Sequence, residues 1–100
     1  MSYSIVRQAI IERTSLTAHY DDYIRHFSPH ILGKHINGVP IVIAFQYAGG
    51  KVGGPLLSSG EWCRFLLPRL FYIRRNGDKW QDGPIHGKSV DGLAEIDVAA

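Results

Sequence analysis

Five consecutive apolar residues, Ile41-Val42-Ile43-Ala44-Phe45, constrain the fold of this 100-residue chain more than any other segment. Successive strand side chains point to opposite faces, so a strand over Ile41–Tyr47 is apolar on both. It needs cover on two sides, at the heart of a barrel or beneath a helix. The 11 glycines and 5 prolines favour many short elements joined by turns over a few long helices.

The remaining elements read outward from that strand. Ile5, Val6, Ala9 and Ile10 form an apolar stripe, and Ser4 can cap the early amides, which predicts a helix over Ser4–Arg13. Leu16–Tyr20 and Tyr23–Phe27 alternate like strands around Asp21-Asp22, a hairpin. Ser28-Pro29 is expected to end it, because proline cannot donate to a ladder. Asn37-Gly38 and Asn76-Gly77 read as type I′ turns. Residues 48–60 form a glycine-rich loop. Trp62–Leu67 and Leu70–Arg75 are two strands, or one bent at Pro68.

The sum is one domain over residues 1–100, mainly β with one N-terminal helix: a small antiparallel barrel plugged by the helix. Its core spans 4–80. The turn-rich tail from 81 on is either frayed or packed on the barrel.

A formal charge of +2 is too small to name nucleic acid as a partner. Its distribution says more. Residues 51–75 carry Lys51, Arg64, Arg69, Arg74 and Arg75 against Glu61 alone, while five acids follow Asn76. The acidic tail is either solvated or screens the basic centre. Trp62–Arg75 combines four arginines with four aromatics and no acid. Arginine forks hold phosphate or carboxylate and aromatic faces stack bases, so such a segment can hold an anionic, partly flat ligand. The competing reading is a half-exposed strand whose arginines pair with Asp78 or Glu61.

The order of elements resembles the WYL domain, an SH3-like barrel of bacterial regulators. The resemblance spans Ser4 to Trp80. It rests on Ala9-Ile10-Ile11 in the helix, a strand ending in Tyr20, Arg25 with Phe27-Ser28-Pro29-His30, and Gly38 before the apolar strand. It closes on Trp62-Cys63-Arg64-Phe65-Leu66-Leu67-Pro68-Arg69-Leu70. Where the family carries its Trp-Tyr-Leu, this chain has Pro40-Ile41-Val42. The resemblance implies a free-standing sensing module that binds a nucleotide or single-stranded nucleic acid in an arginine-lined groove. It implies ligand-contacting roles for Tyr20, Arg25, His30, Arg64 and Arg69; Trp62 and Tyr72, as aromatics beside arginines, are placed to stack a base. A separate transcription regulator is a partner it implies. The alternative is a dimerisation or protein-interaction module using a strand edge, Trp80 and the 93–98 tail.

No catalytic set, cofactor or metal is expected. His26 and His30 would share a face only on a helix, which Pro29 opposes, and Cys63 has no second cysteine. Residues 49–55 lack the order of a phosphate loop and read as a hairpin loop or flap. Cys63 lies in an apolar strand, where an inert thiol is the common case. The lone cysteine, with no signal sequence and no long apolar run, fits a cytoplasmic protein.

Overall fold

The computed structural model describes residues 2–100. Its elements are helix α1 (Ser2–Glu12), strands β1 (Leu16–Tyr20), β2 (Tyr23–Lys34), β3 (Pro40–Gly49) and β4 (Glu61–Leu66), a 3-10 turn (Leu67–Arg69), β5 (Phe71–Arg75) and β6 (Glu95–Ala99). The sheet is antiparallel and runs β4-β3-β2-β1-β5, with β6 added to the far half of β2. Consecutive strands β4 and β5 thus lie at opposite ends of the path, joined by the 3-10 turn at Pro68. Among the described residues no pairing joins them, so the sheet is open rather than a closed barrel.

Val6, Ala9 and Ile10 are the apolar positions of α1 at helical spacing, and all are buried. They pack on Leu16 and Ala18 of β1, Phe27 and Leu32 of β2, Val42 and Ala44 of β3, and Phe65 of β4. The helix ends at Arg13, in left-handed conformation at φ 52. The Thr14 amide there donates to the Ala9 carbonyl and the Arg13 amide to that of Ile10, capping the last turn.

The alternate residues of β3, Ile41 and Ile43, form a second cluster with Ile31, Trp62, Leu66 and Leu93 on the opposite face of the sheet. Its cover is residues 76–94, an irregular segment pinned at several points. Trp62 Nε1 donates to the Pro84 carbonyl at 2.7 Å, and the Gln81 amide to Ser28 Oγ at 2.9 Å. Gly83 lies so close that a Cβ would stand 2.8 Å from both Phe45 and Trp62 atoms. After this strap, β6 pairs with β2 and is tied to α1. Tyr3 donates to Asp97 at 2.6 Å, which pushes the phenol up to about 12, and Arg7 pairs with the same carboxylate at 3.2 Å. The tail is therefore packed, not frayed.

Three expectations fail at turns. Pro29 does not end the second strand: β2 continues to Lys34. The β2–β3 register steps from Pro29↔Ala44 to Ile31↔Ile43, leaving His30 as an extra residue, and proline is tolerated at such a bulge. Asn37-Gly38 is not a type I′ turn. Gly38 alone has positive φ, and its amide donates to His35, giving a type I turn with glycine in the left-handed position. Asn76-Gly77 is not a type I′ turn either: Gly77 alone has positive φ, the Asp78 amide sits on Asn76 Oδ1, and the chain enters the strap rather than another strand. Asp21 and Asp22, at φ 50 and 65, are the pair that forms the primed hairpin turn.

Gly83→Ala should clash with Phe45 and Trp62 and lower stability by about 1–3 kcal/mol in urea unfolding. Gly53→Ala, in open space but also at positive φ, should cost only the backbone strain of about 1 kcal/mol. Equal losses would show that the strap is not seated on the sheet.

Candidate functional site

The two-faced sheet sorts the sequence-predicted residues into separate groups. Tyr20 and Arg25 share the face that packs on α1, since Ala18 pairs with Arg25 and Leu16 with Phe27. His30, Trp62 and Arg64 belong to the face beneath the strap. The five residues Tyr20, Arg25, His30, Arg64 and Arg69 do not line one groove.

Arg25 is only 5% exposed. Its Nε donates to the Tyr20 carbonyl at 3.3 Å and Nη1 to Gln46 Oε1 at 3.1 Å. The guanidinium lies 5.4 Å from the Tyr20 ring centre and 5.7 Å from those of Tyr23 and Phe65. No carboxylate pairs with it among the described residues. Gln46 is wholly buried and also donates to the carbonyls of Ala48 and Gly50, which fixes its amide. Arg25 is thus held by an amide and three rings, and it organises the core edge. A buried polar glutamine beside a cysteine gave no periodic signal, so this partner was not visible in the sequence.

Arg64 reaches into the strap. It donates to the main-chain carbonyls of Ser89, at 3.4 Å, and Asp91. The tail does hold a basic-segment arginine, but through backbone oxygen rather than acidic side chains. His30 is buried between Trp62 and Trp80, with ring centres 4.8 and 4.6 Å away. Its Nε2 donates to the Gln81 carbonyl at 2.9 Å and Nδ1 faces Lys88 Nζ at 3.3 Å. Burial holds the imidazole below its ordinary value, and nearby Lys88 and Arg13 add to this against Gln81 and Asp82. Burial pushes the half-buried Cys63 thiol up, away from reactivity.

Arg69 and Tyr72 meet in a cleft at the free end of the hairpin. The cleft encloses about 620 Å³ and is lined by His19, Tyr20, Asp21, Asp22, Arg69, Phe71 and Tyr72. The Arg69 guanidinium lies 5.2 Å from the Tyr20 ring centre and pairs with Asp21. Tyr20 is fixed from behind, its hydroxyl accepting the Leu66 amide at 3.1 Å.

A bulge aims the other wall. Between Thr17↔Arg74 and His19↔Phe71, β5 carries one residue more than β1. Tyr72 in that interval has φ 55, a conformation that suits glycine and is costly for an aromatic residue. The result is a tyrosine 75% exposed, beside a Phe71 that is 59% exposed, with the His19 ring edge-on to Tyr72 at 5.2 Å. Strain of this kind collects where a side chain is held for binding. His19, Asp21, Asp22 and Phe71 were missed in the sequence. The signal available for Phe71 was its place between Arg69 and Tyr72 on a strand ending the sheet.

No protein-family model matches the chain, and no curated protein or solved structure matches it.

Two outcomes follow. Gln46→Leu strands the Arg25 donor and should lower unfolding free energy by about 2–4 kcal/mol. Adding Arg25→Met should recover part of that loss, since the uncompensated charge goes with it; a strictly additive pair would contradict the account. For His30, the unfolded chain binds a proton near the ordinary value of 6.5 and the folded one only below it. Stability should therefore fall as pH drops through about 6.5 toward the lower folded value. His30→Gln should remove that part of the melting-temperature profile.

Proposed function

We propose that this protein is a binding module whose cleft between the β1–β2 turn and β5 takes a nucleotide or a short single strand of nucleic acid. The observation that carries the reading is the single concavity holding Arg69 with the rings of Tyr20, Phe71 and Tyr72. Single-strand sites combine a cation that tracks phosphate with aromatic faces that stack bases, and stacking tolerates any sequence. Arg69 grips the phosphate after exchanging its Asp21 partner, a swap between charges at the surface that costs little. Tyr72 and Phe71 take the bases. Arg74, whose guanidinium donates among the described residues to the Tyr72 carbonyl at 2.8 Å, extends the cationic track along β5. The element order that resembles a WYL domain supports the same ligand class, as does the basic, aromatic composition of residues 62–75. No described helix is long and apolar enough to cross a membrane. A separate transcription regulator as partner is part of the proposal on the WYL-like resemblance, and a cytoplasmic setting on the lone cysteine and the lack of a long apolar run.

Fluorescence anisotropy with labelled single-stranded oligonucleotides and nucleotides tests this. Affinity should fall linearly in log–log form as salt rises. Tyr72→Ala should weaken binding by about 1–3 kcal/mol, and Arg69→Glu should abolish it. Arg64→Glu, on the strap side, should leave affinity nearly unchanged. Absence of binding at low salt would refute the reading. It would favour the other use of β5, a terminal strand with exposed aromatics that could add a strand from a second copy.

The strain at Tyr72 gives a separate check. Tyr72→Gly should be about 1 kcal/mol more stable than Tyr72→Ala, because glycine accepts the left-handed backbone without cost. Both should bind equally poorly. A more stable alanine variant would contradict the bulge.

A further inference from the structure

A second pocket lies on the other face of the sheet, under the strap. It encloses about 210 Å³, and its lining includes Arg13, His30, Trp62, Asp82, Lys88 and Ala100. One water's share of liquid volume is about 30 Å³, so the space holds a small polyatomic ion. Lys88 stands with Nζ 3.3 Å from His30 Nδ1 and 5.3 Å from the Trp62 ring centre. Neither Lys88 nor Arg13 has a carboxylate partner among the described residues. The one acidic side chain in the lining, Asp82, already accepts from Trp80 Nε1 at 3.1 Å. His30 is 3% exposed, and its Nε2 proton is committed to the Gln81 carbonyl. Its Nδ1 is therefore a bare acceptor, turned toward Lys88.

We propose that this pocket is a site for a tetrahedral oxyanion, phosphate or sulfate, gripped by Lys88 and Arg13 and completed by a protonated His30. Neither cation is ion-paired, so both keep donors free for an oxyanion with several acceptor oxygens, against Asp82 as the opposing charge in the lining. When it enters, Lys88 keeps its proton and turns from imidazole to anion. Nδ1 then takes a proton from solvent and becomes a third donor. The charged groups facing His30 are Lys88, Arg13 and Asp82. The first two oppose its protonation and Asp82 favours it; a bound dianion tips that balance. Anion and proton then bind cooperatively, each strengthening the other by the same factor. The site is independent of the cleft, from which the sheet separates it.

The test follows the His30 imidazole by NMR while the full chain is titrated with sodium sulfate, against sodium chloride at matched ionic strength. Sulfate keeps both charges across the range, so any pH dependence comes from the protein. A saturable His30 shift is expected, with binding about tenfold tighter near pH 6 than near pH 8. Lys88→Gln and Arg13→Gln should each weaken it about tenfold or more. Arg13 is on the surface, so its variant remains informative if the Lys88 change loosens the strap. Tyr72→Ala should have no effect, whatever becomes of the cleft. A shift that chloride reproduces, or binding unchanged in Arg13→Gln, would overturn the proposal.

Discussion

The structure depends on covering β3 from both sides. One face is buried by α1 and by the curl of the sheet, which brings Phe65 and Phe27 together at 5.0 Å. The other carries Ile41 and Ile43, and no helix remains in the described chain to cover them. The strap does that work, with Leu93 packed on the isoleucines, while β6 pairs with β2 and sets Val98 on the α1 side. This is why a glycine-rich stretch with little apolar content folds down, and why several of its contacts are backbone carbonyls accepting from Trp62, His30 and Arg64. Such bonds need no particular side chain from the strap, only a chain able to turn tightly, as Gly83 does.

Two-sided burial also decides where chemistry can occur. A residue on the α1 face is enclosed, and its polar groups must be satisfied from within, as Arg25 is by Gln46. A residue on the other face meets the strap. The hairpin end leaves two exposed aromatic side chains, Phe71 and Tyr72, beside the accessible Arg69. The bulge at Tyr72 turns that end outward at a cost in backbone strain. The strap face keeps a small pocket whose two cations are not ion-paired. The two places differ in what they offer: an open aromatic wall in one, and two cations around a buried imidazole in the other.

Much of the architecture was legible in the sequence because it follows from periodicity. The helix, the hairpin at Asp21-Asp22, the β3 run and the break at Pro68 each have a local physical cause. Pro29 misled because a bulge is a tertiary event: the lost ladder bond is absorbed by an extra residue opposite β3, which nothing local announces. The candidate site was harder to read for the same reason. Arginines at 25, 64 and 69 look alike in a one-dimensional pattern, yet strand parity and the strap send them to a core edge, a carbonyl cap and an open cleft. His19 and Asp22 carried no motif, and only the fold sets them against Tyr72.

The measurement that bears most directly on this account is a backbone chemical-shift map of the full chain, titrated with a short single-stranded oligonucleotide at low salt. Sorting by sheet face requires the large shifts at residues 19–22 and 69–74, with residues 62–64 and 81–89 unmoved. Shifts centred on Trp62, Arg64 and the strap would contradict it, and would return the binding role to the arginine that caps the strap carbonyls.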